Sequence, residues 1–155
     1  PLAGPNGVGG EWGHNPLPWT RDAQLNARPC YCGRSGCQET FLSGTGIGIT
    51  YRLATGKTLD AAQVVELWRA GDTAATEVMT AYMDQLARAL AAVINVLDPD
   101  VIVLGGGASN IDEIYQQVPA ILPNYVFGGE CDTEIKQAVH GDSSGVRGAA
   151  WLNPF

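Results

Sequence analysis

Glu11-Trp12-Gly13-His14, followed by Cys30-Tyr31-Cys32-Gly33-Arg34-Ser35-Gly36-Cys37-Gln38-Glu39, is the stretch around which this chain is organised. It holds three of the four cysteines and one of the two histidines, with a carboxylate at either end. Three thiols and one imidazole are the ligand set of a closed tetrahedral zinc site. Fifteen residues separate His14 from Cys30, one separates Cys30 from Cys32, and four separate Cys32 from Cys37, which is not the spacing of a zinc finger. Gly33 and Gly36 offer the positive φ that a tight chelating turn needs. His14, Cys30, Cys32 and Cys37 are therefore expected to hold Zn2+. With four protein ligands there is no open position for a reacting water, so the metal's role would be structural. The competing reading is three unrelated buried thiols and a surface imidazole. Two disulfides fit poorly, because Cys30 and Cys32 stand too close to bridge comfortably and the chain is not Cys-dense. Cys131 is left over and reads as an apolar filler.

Moving outward, 155 residues with 45% hydrophobic content make one domain with a real core. Sixteen acidic against nine basic residues give a net charge of -7, which speaks against a nucleic-acid partner. No apolar run is long enough for a transmembrane helix, and no secretory leader opens the chain. Thiolates on a metal suit a reducing cytoplasm. The Gly-rich start without an initiator Met suggests a cut inside a longer protein.

The pattern predicts an α/β chain. Residues 1–10 read as loop, and Pro16, Pro18 and Pro29 mark an irregular excursion between His14 and Cys30. A helix from Gln38 is expected to break at Gly44-Thr45-Gly46 and resume to about Leu53. Thr58 or Asp60 can cap a helix that ends at Gly71, and Asp72 or Thr73 the longest one, through Leu97. In the latter, Val78, Tyr82, Leu86, Leu90, Val93, Ile94 and Leu97 recur at threes and fours. Ala89, Ala91 and Ala92 widen that face, predicting packing against both a sheet and another helix. Val101-Ile102-Val103-Leu104 reads as a strand buried on both faces. Gly105-Gly106-Gly107 is a turn, 112–122 a helix, 134–139 a strand, 141–145 a loop, and 146–152 a closing helix. Trp12, Trp19, Trp68 and Trp151 are expected to pack, and His140 to be exposed.

Gly105, Gly106 and Gly107 follow a strand at the edge where open α/β sheets bind ligands. They are neither a Walker loop nor the dinucleotide fingerprint, and a plain structural turn fits them equally well. Ser43-Gly44-Thr45-Gly46 reads as a helix kink or cap, and 141–148 as a surface loop capping the last helix.

At Glu11-Trp12-Gly13-His14 and the Cys-x-Cys-Gly-x-x-Gly-Cys-x-Glu run, the chain resembles the zinc motif of the ROK family. These are bacterial sugar kinases and sugar-responsive repressors. The tracts Gly13 to Trp19 and Cys30 to Gly46 look closest to its fructokinases. The resemblance implies the C-terminal lobe of the actin-like ATPase, ribonuclease H-like sugar kinase fold, a single domain over 1–155 with the zinc segment 11–39 within it. It implies that Glu11, His14 and Glu39 bind sugar hydroxyls. His14 would use one ring nitrogen for zinc and the other for the sugar. It assigns Gly44, Thr45, Gly105, Gly106 and Gly107 to the nucleotide. The implied activity is ATP-dependent hexose phosphorylation, with Mg2+ accompanying ATP and fructose as the foremost sugar. The family's catalytic Asp and phosphate loop belong to its N-terminal half, so this chain would not turn over by itself. A homodimer is left open, since ROK proteins are often dimers. The alternative is the sugar-sensing half of a ROK repressor.

Overall fold

In the computed structural model, which describes residues 4–20 and 28–151, the helical periodicity becomes a helical body with a small sheet. In chain order come a one-turn helix α1 (Glu39–Leu42), α2 (Gly44–Thr55), α3 (Ala61–Arg69) and the long α4 (Thr73–Leu97). Strand β1 (Val101–Leu104), α5 (Ile114–Ile121), strand β2 (Glu134–Gln137) and α6 (Ser144–Trp151) follow. The predicted break falls at Ser43, whose extended backbone ends α1 and whose hydroxyl accepts from Gly46 N at 3.0 Å to start α2. Of the two candidate caps for α3, Asp60 serves. Its carboxylate accepts from Gln63 N at 2.9 Å, while Gln63 Oε1 accepts from Asp60 N at 3.0 Å, a reciprocal capping box. Asp72 caps α4 by accepting from Ala75 N at 2.8 Å. At the far end Asp98 turns left-handed with φ 44°, and Pro99 prevents continuation.

The core lies along α4. Val78, Met79, Tyr82, Met83, Leu86, Leu90 and Ile94 are buried on it, and Ala75, Ala87 and Ala91 are fully covered. Each fully buried large side chain contributes roughly 1.5–3 kcal/mol. Helices α1, α2, α3 and α5 pack around α4. The sheet joins the same core through Ile135, with Ile102 and Leu104 against it. Both the sheet and other helices thus meet the core built along α4, as expected, although α4 is surrounded mainly by helices, which its alanines admit. Leu97 falls beyond the covered face, at 61% exposure.

β1 and β2 pair in parallel, Val101 opposite Glu134 and Leu104 opposite Gln137, joined by a crossover that contains α5. One expectation fails here. β1 is not buried on both faces, since Val101 and Val103 are 41% and 58% exposed while Ile102 and Leu104 turn inward. A strand's side chains alternate between faces, and among the described residues only one face of this sheet is covered. β2 also stops at Gln137, short of the exposed Val139. Trp12 and Trp68 pack on the core, but Trp19 and Trp151 are 65% and 84% exposed, against expectation. Trp19 stacks on Tyr125 at 5.3 Å between ring centroids. His140 is exposed and Cys131 half-buried against the core, as expected. The excursion at 21–27 and the expected end of the last helix at Leu152 lie outside the described residues. No helix among those residues is long and apolar enough to cross a membrane.

Candidate functional site

The stretch from Arg28 to Gln38 folds into a small knuckle. Cys30 N donates to Arg34 O at 2.8 Å, Gly33 N to Cys30 O at 3.0 Å, and Gly36 N to Arg28 O at 2.9 Å. Gly33 and Gly36 take φ of 87° and 76°, the left-handed values that residues with a Cβ avoid. The upstream segment docks alongside, Leu17 N donating to Gly36 O and Gln38 N to Asn15 O. A single 3-10 turn, Trp12–His14, aims the imidazole at the knuckle.

As a result His14, Cys30, Cys32 and Cys37 bring one ligand atom each within 4.8 Å of one another. Cys32 Sγ and Cys37 Sγ are 3.5 Å apart, and His14 Nδ1 is 3.6 Å from Cys30 Sγ. A Zn–S bond of about 2.3 Å separates tetrahedral ligands by about 3.8 Å, so the donor set fits a zinc ion. The Arg34 backbone N–H, then the neighbouring thiols and His14, bring the Cys32 thiol down to about 7 against opposing desolvation. Burial, then Cys32 and Cys30, push Cys37 up to about 12. Adjacent thiols resist ionising together, and a dication at their centre removes that resistance.

The other ring nitrogen faces outward. His14 Nε2 lies 3.8 Å from Glu11 Oε2, 3.9 Å from Glu39 Oε2 and 2.9 Å from the Tyr31 hydroxyl. The three residues that the sequence singled out for hydroxyl recognition thus converge. Carboxylates accept several O–H hydrogen bonds each, and an imidazole N–H donates one. Tyr31 was not singled out; its position between Cys30 and Cys32 was the available cue. Partial desolvation, then Glu39, Cys30, Glu11 and Cys32, raise its pKa, so the hydroxyl keeps its proton.

Glu39 opens α1, and four residues of helix rise about 6 Å before Ser43 starts α2. There a cavity of about 1020 Å³ opens, lined by Gly44, Thr45, Gly48, Arg52, the α3 cap Asp60, the α3 residues Gln63, Glu66 and Arg69 among others, and Gly107, Ala108 and Asn110. Two segments far apart in sequence, 44–45 and 107, therefore meet at one cavity beyond the carboxyl end of β1. Gly105 and Gly106 do not line it. Arg69 and Glu113 form a two-pronged ion pair at 2.7 and 2.8 Å between α3 and the start of α5.

Between the two sites sits another residue that the sequence reading missed. Arg28 is buried and donates to Thr40 O at 2.6 Å and Thr50 Oγ1 at 2.7 Å, with its guanidinium 4.2 Å over the Phe41 ring. It ties the knuckle to α1 and α2; burial lowers its pKa from a value high enough to keep it charged. A lone Arg before a Pro-Cys pair carries no sequence cue for this.

The ROK family model matches residues 1–154. This chain belongs to the ROK family. It is 40% identical over 159 residues to an N-acetyl-D-glucosamine kinase of Pectobacterium carotovorum, a match spanning 99% of this chain and 52% of that protein. Among solved structures it superposes on the ROK hexokinase of Thermus thermophilus with a TM-score of 0.80 and 29% identity, over 96% of this chain and 48% of the hexokinase. A ROK transcriptional regulator homologous to the Escherichia coli MLC protein matches at a TM-score of 0.61 and 23% identity, over 81% of this chain and 33% of the regulator, a likeness of fold alone. The ROK chain spans about half the length of the curated relatives it matches.

Proposed function

We propose that this chain is the sugar-binding lobe of an ATP-dependent hexose kinase of the ROK family. The observation that carries the reading is the double-faced His14, with Nδ1 on the thiol cluster and Nε2 between Glu11 and Glu39. In this reading Zn2+ held by His14, Cys30, Cys32 and Cys37 supplies no reacting group and fixes the His14 tautomer. His14 Nε2 then keeps its hydrogen and donates it to a hexose oxygen. Glu11 and Glu39 accept from hexose hydroxyls, with charge-assisted bonds stronger than neutral ones.

The cavity lined by Gly44, Thr45 and Gly107 takes the nucleoside part of Mg-ATP. Glycine at its rim lets a ligand approach the backbone, and the site lies where open α/β sheets bind ligands. Gly105 and Gly106 shape the turn that presents Gly107. One helical turn, α1, separates the two sites and is braced by Arg28. Phosphoryl transfer also requires a phosphate cradle and a group that positions the attacking hydroxyl. Turnover is accordingly assigned to the full-length protein. The 13–19 tract speaks for fructose; the 40% identical relative is a kinase of N-acetyl-D-glucosamine, which makes that sugar the other candidate. The regulator's likeness is weaker and shorter, so the kinase reading is preferred.

The test is steady-state kinetics of the full-length protein with ATP and N-acetyl-D-glucosamine, D-glucose or D-fructose. Glu39→Gln should raise the KM for the preferred sugar at least about tenfold, the size of a charge-assisted hydrogen bond, while leaving the KM for ATP nearly unchanged. Equal effects on both would remove Glu39 from the sugar site, and the absence of any hexose phosphorylation by the wild type would overturn the kinase reading.

A further inference from the structure

With Zn2+ on Nδ1, His14 Nε2 would carry the ring's one hydrogen and could donate one hydrogen bond at a time. The partner at hydrogen-bonding distance is the Tyr31 hydroxyl at 2.9 Å; the two carboxylates, at 3.8 and 3.9 Å, are too far for a normal bond. Tyr31 is 82% exposed, and its ring meets the imidazole edge-on at 5.1 Å between centroids. Cys30 and Cys32 pin its backbone on both sides, whereas its ring has little packing to lose. An exposed aromatic side chain can turn to another rotamer within nanoseconds.

We propose that Tyr31 is a placeholder for substrate: its hydroxyl occupies, on His14 Nε2, the hydrogen-bond position that a hexose hydroxyl takes, and swings away when the sugar binds. The proposal rests on the sugar-clamp reading above and deepens it by naming a residue that sets sugar affinity. In the empty site the Tyr31 hydroxyl keeps the His14 N–H satisfied and aligned between Glu11 and Glu39. A sugar must offer an oxygen at that point good enough to replace it. A hexose with no hydroxyl there must leave the tyrosine in place and lose part of the clamp. Tyr31 thus lowers the apparent affinity of each sugar that must displace it to reach His14, whereas a sugar that leaves it in place forgoes the His14 contact.

Calorimetric titration of the full-length, zinc-loaded protein with N-acetyl-D-glucosamine, D-glucose and D-fructose tests this on wild type, Tyr31→Phe and Tyr31→Leu. Removing the competing hydroxyl should tighten the preferred sugar by about two- to tenfold, the range spanned by one net hydrogen bond. Both variants should shift in that direction. In steady-state kinetics of the same proteins the change should appear in the sugar KM and not in the ATP KM, with zinc content equal to wild type. Weaker or unchanged binding in Tyr31→Phe would overturn the proposal, because it would mean that the hydroxyl holds the sugar or stands clear of it. Zinc loss in both variants would also overturn it, as the ring would then be part of the knuckle's framework. Glu39→Gln separates the two levels. If it weakens sugar binding while Tyr31→Phe changes nothing, only the placeholder fails; if no protein binds any of the three hexoses, the clamp fails with it.

Discussion

From Glu11 to Cys37 the described chain is tied by isolated bridges, Pro16 with Cys37 and Pro29 with Ser35, and buries few apolar side chains beyond Leu17. Along α4, by contrast, twelve residues are buried on one helix, among them Met79 and Met83 with almost no exposed surface. The knuckle has convergent donors and little packing, whereas the helical body has packing and no convergent donors among its described residues. The comparison separates two ways of holding a shape. A metal fixes a few atoms to within tenths of an ångström at the expense of needing the ion. Apolar burial fixes many atoms collectively. The knuckle has the donor set for the first and the cavity beside α2 rests on the second, and they meet at α1. There Phe41 packs with Leu17 and Ala89 and carries Arg28 above its ring.

The largest effect should come from taking away the metal. Chelation, or Cys32→Ser, should release about one zinc per chain and abolish amide protection over residues 11–39, leaving far-UV helicity almost intact. A global loss of helix on chelation would break the contrast between the regions, and absence of any metal would remove the site. Next comes Gly46→Ala at the junction. A Cβ there would stand 2.6 Å from the carbonyl carbon and oxygen of Phe41 and 2.8 Å from Thr40 O. Because backbone cannot yield as a flexible side chain does, denaturant unfolding should show a loss of about 1–3 kcal/mol. Unchanged stability would mean that α1 and α2 slide freely over each other. Asp72→Ala is the smallest of the three. It removes the bond from Ala75 N at the start of α4 and should lower stability by about 1 kcal/mol, with zinc content unaffected. A change in zinc content on this substitution would show that the two regions are coupled more tightly than their packing indicates.

The cluster of three thiols and an imidazole was legible because it depends on residue type and spacing, and Gly33 and Gly36 advertise the turn that closes it. The helices were legible because Asp60, Asp72 and the three-four repeat of apolar residues act locally. Two misreadings have a common cause. Val101 and Val103 are chemically what a doubly covered strand would contain, and Trp19 and Trp151 what a core would contain, yet their exposure depends on which neighbours arrive. Arg28 and Tyr31 escaped notice for the same reason, since their roles are defined by distant partners: Thr50 and Phe41 for one, the other face of His14 for the other.

By itself, the sequence determined the donor set, the helix starts and stops and the α/β character, because these follow from side-chain chemistry and contacts within a few residues. Tertiary structure decided which nitrogen of His14 faces the thiols, that segments 44–45 and 107 share one cavity, and that a tyrosine hydroxyl sits on the outward nitrogen. Such juxtapositions arise only when α4 gathers remote segments around one core, and burial responds to the sum of those contacts, not to any one stretch of the chain.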